Sequence, residues 1–279
     1  MASTKRLFKT LTRRGPHRVL RGDMAFAGLP GILYTPESGM NLPGVAFGHD
    51  WLAATGRYAG TLEHLASWGI VAAAPDTETG VAPSVLNLAF DLGTTLDIIT
   101  GVRLGPGKIS VHPTKLAVVG HGFGGAAAIF AAAGMPVKPK AAVALFPSVT
   151  RPRAEQPAAT LRIPGLVLTA PGDPMTLRSN AVEVARSWTS ATLRTVDVKP
   201  GGLIEGRRLA RVVGLPGADR QTQKYVRALL TGYLLHVLTG DKTYRDFADP
   251  QAQLPKTQPA DPNADPVDLE DKVVALLKP

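Results

Sequence analysis

The chain has 279 residues, 44% of them apolar and none of them cysteine. That is enough for one large α/β domain with a sizeable core, and it excludes disulfides, a thiolate nucleophile and cysteine-bound metal. The formal charge of +9 is unevenly placed: Lys5, Arg6, Lys9, Arg13, Arg14, Arg18 and Arg21 precede the first acid, so the rest of the chain is nearly neutral. No apolar run approaches the roughly 20 residues that cross a bilayer. Lys9 interrupts Leu7, Phe8 and Leu11 where a signal peptide needs an unbroken stretch, so the expected location is the cytoplasm, with peripheral contact at the inner face of the plasma membrane.

Residues 1–21 form a basic arm. Within it, residues 3–14 can make a short amphipathic helix with Leu7, Phe8 and Leu11 on one face. Such a helix can lie on an anionic membrane, and the same charge can meet an acidic partner. No motif for reading nucleic acid accompanies it. A solvated tail is the simpler reading of the same composition.

Residues 22–249 carry alternating strand and helix signals. Gly31 to Thr35 reads as an edge strand and Leu42 to Gly48 as a second strand ending at His49, Asp50 and Trp51. Residues 58–68 are helical, with Leu62, Leu65 and Trp68 on one stripe. Ile70 to Ala74 is a strand, and residues 84–104 a helix with Leu88, Leu92, Leu96 and Ile99 inward. Asp91 and Asp97 fall on its solvent side. Lys115 to Val119 is a buried strand, followed by a glycine-rich turn and an alanine-rich helix to residue 133. Further strands are expected at 140–146, within 161–170 and at 193–198, with a helix over 178–189. This alternation predicts an α/β fold with a mostly parallel central sheet and helices on both faces.

Residues 199–218 read as an irregular loop, with Arg207, Arg208 and Arg211 as a small basic group. Asp219 to Leu238 is a strong helix. Residues 250–265, rich in proline, read as an extended linker. A C-terminal amphipathic helix over 266–279, capped by Asp265, carries Leu269, Val273, Leu276 and Leu277 as an apolar stripe.

The turn after the central strand has chemistry in its spacing. Gly120, His121, Gly122, Phe123 and Gly124 match the G-x-S-x-G nucleophile elbow except that glycine stands where serine is expected. Together with FGHDW (47–51), LASWGIVAAAPDT (65–77) and IPGLVLTAPGD (163–173), this resembles the α/β-hydrolase superfamily, in particular its dienelactone-hydrolase and cutinase-like polyester-hydrolase branch. The resemblance covers residues 16–250 or so. It implies a nucleophile at Gly122, oxyanion-hole amides at Phe123 and at Asp50 or a neighbour, and an acid at Asp173. It also implies a histidine within 199–206, where the sequence KPGGLIEG has none. Glycine offers no nucleophile, and no cysteine can replace it. His236, inside a helix, is expected to pack rather than catalyse.

The resemblance therefore implies a catalytically inactive homologue that binds a protein partner or a lipid-like ligand, with His49, Asp50, Trp51, His121 and Phe123 as a vestigial pocket. The alternative is an unconventional hydrolase built around His49, His121 and Asp173. A metal there lacks third and fourth ligands, so no metal and no cofactor are expected.

Overall fold

The computed structural model describes residues 3–172, 178–206 and 217–263. Asp173, Arg207, Arg208, Arg211 and the expected C-terminal helix lie outside them. Among the described residues one nine-stranded sheet runs in the order β1-β2-β4-β3-β5-β6-β7-β8-β9. Its strands are β1 (Val19–Asp23), β2 (Gly31–Pro36), β3 (Gly39–Gly48), β4 (Val71–Pro75) and β5 (Ile109–His121), then β6 (Ala141–Leu145), β7 (Gly165–Thr169), β8 (Ala191–Val196) and β9 (Thr257–Pro259). The strands from β4 through β8 in that order pair parallel; β1–β2, β2–β4 and β8–β9 pair antiparallel. The central strands are buried on both faces and read as continuous Val, Ala and Leu runs, as parallel strands do.

Helices cover both faces. One carries α1 (Thr4–Leu11), α2 (Ala59–Ser67) and α7 (Arg220–Thr239) over Val45, Phe47, Val119 and Val143. The other carries α3 (Val85–Gly101), α4 (Phe123–Gly134), α5 (Glu155–Ala158) and α6 (Ala181–Ser187) over Ala46, Val118, Ala142 and Val167. Alternate residues of each strand thus enter opposite cores, the period of two expected of a pleated sheet.

Both ends of the domain depart from the sequence reading. The basic arm is part of the fold. Helix α1 is capped by the Ser3 side chain, and it buries Phe8 and Leu11 completely against Tyr225, Phe247 and the rest of the first core. Burying two such side chains contributes about 3–6 kcal/mol before entropy. The apolar face that could have entered a membrane is therefore spent on the domain. Strand β1 crosses the expected boundary at residue 21 and becomes the sheet edge, which displaces Gly31–Thr35 to an inner position. Its half-exposed VLRGD pattern hides it from a periodicity search.

The proline-rich stretch after residue 249 is likewise not a free linker. A 3₁₀ segment (Lys242–Phe247) leads to buried Leu254, and β9 then pairs with β8. Proline is tolerated there because β9 is an edge strand. Arg194 on β8, fully buried, donates to the main-chain carbonyls of Asp249 and, at 3.0 Å, Ala252, holding this segment down. Asp91 departs more mildly from the solvent position expected of it: it is half-buried and accepts from the Thr77 hydroxyl at 2.6 Å.

His64 on α2 sits where α1 docks. It is buried, hydrogen-bonds the Leu11 backbone, and faces the Arg227 guanidinium. Burial first, and Arg227 second, push its pKa down to about 4. The folded state therefore favours neutral His64, while the unfolded chain takes up a proton near pH 6.5. This contribution is full above that value and is lost as pH falls toward 4, by about 3 kcal/mol. His121 is shifted in the same direction, also mainly by burial. Urea denaturation at a series of pH values should show stability falling between pH 6.5 and 4, and His64→Gln should flatten that slope. An unchanged slope would mean that His64 does not couple the α1 contact to pH.

Candidate functional site

The end of β3, the end of β5 and the first turn of α4 meet at one point. Gly48 pairs with Gly120, so His49–Trp51 and His121–Phe123 emerge side by side from adjacent parallel strands. Ligands of open α/β sheets bind at such carboxyl ends. The approach is very close: a Cβ on Gly124 would lie 2.3 Å from the Gly48 carbonyl. Gly124 is therefore required by packing, and α4 starts directly above β3.

Gly122 turns the chain from β5 into α4 with φ 55° and ψ −115°, a backbone region that costs a side-chain-bearing residue about 1–3 kcal/mol. Its N–H donates to Leu145 O at 2.9 Å, and its carbonyl accepts from Gly125 N and Ser148 N. The turn is thus a sharp strand–glycine–helix elbow, as the spacing indicates.

The space a side chain at 122 would enter is already filled. A Cβ there would meet Asp50 Oδ1 at 2.0 Å. The same Oδ1 accepts from Phe123 N at 2.9 Å and from Trp51 N at 2.8 Å. Phe123 N–H belongs to the positive N-terminal end of α4, where a carboxylate is favoured. Asp50 is thus an internal anion seated between two converging amides. The resemblance places the second amide at Asp50 or a neighbour, and the donor facing this point is the neighbour's. Asp50 N–H turns away and donates to Tyr58 Oη at 3.0 Å, so Trp51 supplies the second amide to the carboxylate.

Behind Asp50 lies a buried polar chain. Tyr58, fully buried, hydrogen-bonds His121 Nδ1 at 2.9 Å. The His121 ring also hydrogen-bonds the Pro200 backbone. Proline has no N–H, so its carbonyl accepts and the proton lies on the ring nitrogen facing it. His121 is kept neutral by burial, against the opposing pull of Asp50, so Nδ1 accepts and Tyr58 donates. Tyr58 was not singled out from the sequence; its only signal is a tyrosine following the β3 loop, a position with no spacing rule.

His49 is also fully buried, and both ring nitrogens face main-chain oxygens: Asp50 O at 2.9 Å from Nδ1 and Thr77 O at 2.6 Å from Nε2. The two histidines therefore flank the elbow, and the ring nitrogens of each are engaged by other groups. Neither turns a free lone pair toward Gly122, which a general base requires. Among the described residues no group of three or more His, Asp or Glu side chains could hold a metal.

The loop where the resemblance places a histidine carries Glu205 instead. Its carboxylate accepts from Gly60 N at 2.9 Å and Thr61 N at 3.1 Å, at the start of α2, and pairs with Arg227 at 2.8 Å. It ties this loop to α2 and α7. His236 hydrogen-bonds Asp241 O at the end of α7, as its helical position suggests. Trp51 is half exposed, with its indole N–H donating to Val81 O at 3.2 Å. The seven basic residues of the N-terminal segment all reach solvent on α1, the following turn and β1; Arg14 pairs with Glu63 at 3.5 Å. The chain matches no family model and no curated protein.

The crowding at Gly122 gives a direct test. Gly122→Ser should destabilise the protein by about 2–4 kcal/mol through its backbone conformation and the clash with Asp50. Asp50→Gly alone should cost about 1–3 kcal/mol by orphaning two amides. The double variant should lose less than the sum by about 1–2 kcal/mol. Strict additivity in urea titrations would show that the Asp50 carboxylate does not occupy that space.

Proposed function

We propose that this chain is a catalytically inactive member of the α/β-hydrolase superfamily that works by binding a protein partner or a lipid-like ligand. The observation that carries the reading is the seat of Asp50. In a hydrolase of this architecture, converging amides beside the elbow stabilise negative charge that develops on the substrate. Here a resident carboxylate already holds two converging amides, and residue 122 offers no nucleophile. A serine placed there would have neither room nor a base.

The basic N-terminal face supports the binding half of the reading. With Phe8 and Leu11 inside the core, what α1 offers an anionic membrane or an acidic protein is chiefly its charge. Each cation near an anionic surface contributes about 1 kcal/mol, and salt screens it. Peripheral attachment at the inner face of a plasma membrane is the membrane form of this proposal; among the described residues no helix is long and apolar enough to cross a bilayer.

Two measurements separate this reading from an unconventional hydrolase. Aryl esters, lactones and amides should show no turnover above buffer; turnover abolished by His49→Ala would instead favour a working site. Triple reversal, Lys5→Glu with Arg6→Glu and Lys9→Glu, should weaken binding to phosphatidylglycerol-containing vesicles, or to a co-purifying partner, by about a hundredfold or more. Binding that ignores both the reversal and added salt would sink the electrostatic part.

A further inference from the structure

An apolar groove of about 820 Å³ lies between α3 and α4, on the face opposite α1, α2 and α7. Phe90, Phe130, Met135 and Val137 line it, together with Gly93, whose Cβ position is 3.8 Å from Met135 Cγ. Phe90 is 76% exposed and Val137 77% exposed. Single exposed apolar residues are ordinary, but several around one concavity are not. The volume falls in the range of small-molecule sites.

The polar side chains of this groove are one-sided. Asp97 is the single charged side chain among the described residues that line it, and a carboxylate only accepts. The Thr94 hydroxyl donates to Phe90 O at 3.2 Å and the Thr160 hydroxyl to Pro157 O at 2.8 Å. Each spends its one proton locally and keeps its lone pairs. The other lining side chains are apolar. None of the lining side chains therefore has a proton left to donate. Asp97 is exposed, and its carboxylate takes part in no ion pair or hydrogen bond among the described residues. The cations nearest in sequence are committed to main-chain oxygens: Lys138 donates to the carbonyls of Ala133 and Met135, and Arg162 to those of Ala159 and Leu161.

Such a lining is complementary to an apolar body that brings its own donors and a positive charge. A carboxylate on the ligand would face Asp97 and hydroxyl lone pairs with no side-chain donor to meet it. An ammonium matches both, and the aromatic faces of Phe90 and Phe130 attract a cation as well. We propose that the α3–α4 groove binds a hydrophobic ammonium, its alkyl or aryl part among Phe90, Phe130 and Met135 and its charged head at Asp97. This adds a site apart from the elbow and a ligand class of its own, and it holds whether or not the elbow is inactive.

Octylammonium, octanol and octanoate share one chain and differ in the head group, so they test the assignment directly. Calorimetric titration of the full chain at neutral pH and low salt should give saturable binding of octylammonium about tenfold tighter than octanol, with octanoate weakest. Asp97→Asn, an exposed and isosteric change, should cut the preference for the ammonium to about threefold or less and leave octanol unaffected. Gly93→Leu, which puts a side chain into the groove, should abolish binding of all three. The Met135 methyl resonance gives the location: it should shift with octylammonium in the wild type and stay fixed in Gly93→Leu. Octanoate binding as tightly as octylammonium would overturn the proposal, as would a preference that survives Asp97→Asn. So would an absence of saturable binding or an unmoved Met135 signal. A dimer that Phe90→Glu dissociates would assign the groove to a second copy and overturn it equally.

Discussion

The contact between Gly48 and Gly124 governs the centre of this protein. Because neither residue has a side chain, the first turn of α4 rests on the end of β3, with the Gly124 Cβ position 2.3 Å from the Gly48 carbonyl. That proximity brings the positive end of α4 to the loop after β3. It leaves Asp50 a short reach to Phe123 N–H, and it forces the sharp turn at Gly122. A larger residue at 124 would lift α4 away from β3 and scatter these groups together. The packing constraint and the electrostatic site are therefore one feature.

A carboxylate with two main-chain donors at a helix N-terminus is in a favourable state, and the favour is structural. Catalysis by an anion hole depends on donors that wait for a charge appearing only in the transition state. Once a resident anion holds those donors, incoming carbonyl oxygen gains nothing from them. The same logic extends outward. Tyr58 and His121 spend their hydrogen-bonding capacity on each other, on Asp50 N–H and on Pro200, and Glu205 spends its own on α2 and Arg227. These polar groups are consumed in fixing loops to one another.

The sequence exposes the parallel core because its signals are local and repeated. Runs such as LAVVG and AAVAL need no knowledge of distant contacts, and each appears as a strand within a few residues of its expected place. The elbow was legible for the same reason, since Gly120, Gly122 and Gly124 are fixed by spacing. The edges were not legible. Strand β1 exists because β2 offers it a partner, and β9 because buried Arg194 holds the preceding segment. Helix α1 reads as a solvated basic arm until Tyr225 and Phe247 are brought beneath Phe8. Asp50 illustrates the limit within the site: its position near the elbow follows from FGHDW, but the direction of its side chain depends on whether residue 122 has one.

The burial of α1 changes what the basic segment can do. A free amphipathic arm could insert Leu7, Phe8 and Leu11 into a bilayer and would hold its charges in no fixed arrangement. With Phe8 and Leu11 inside the core, Lys5, Arg6 and Lys9 project from a helix that cannot roll, and Arg18 and Arg21 flank the sheet's open edge. Fixed charges lose less entropy on meeting a surface, and they also hinder edge-to-edge pairing of β1 with another copy. Whatever attraction such charges exert on an anionic surface is screened by salt.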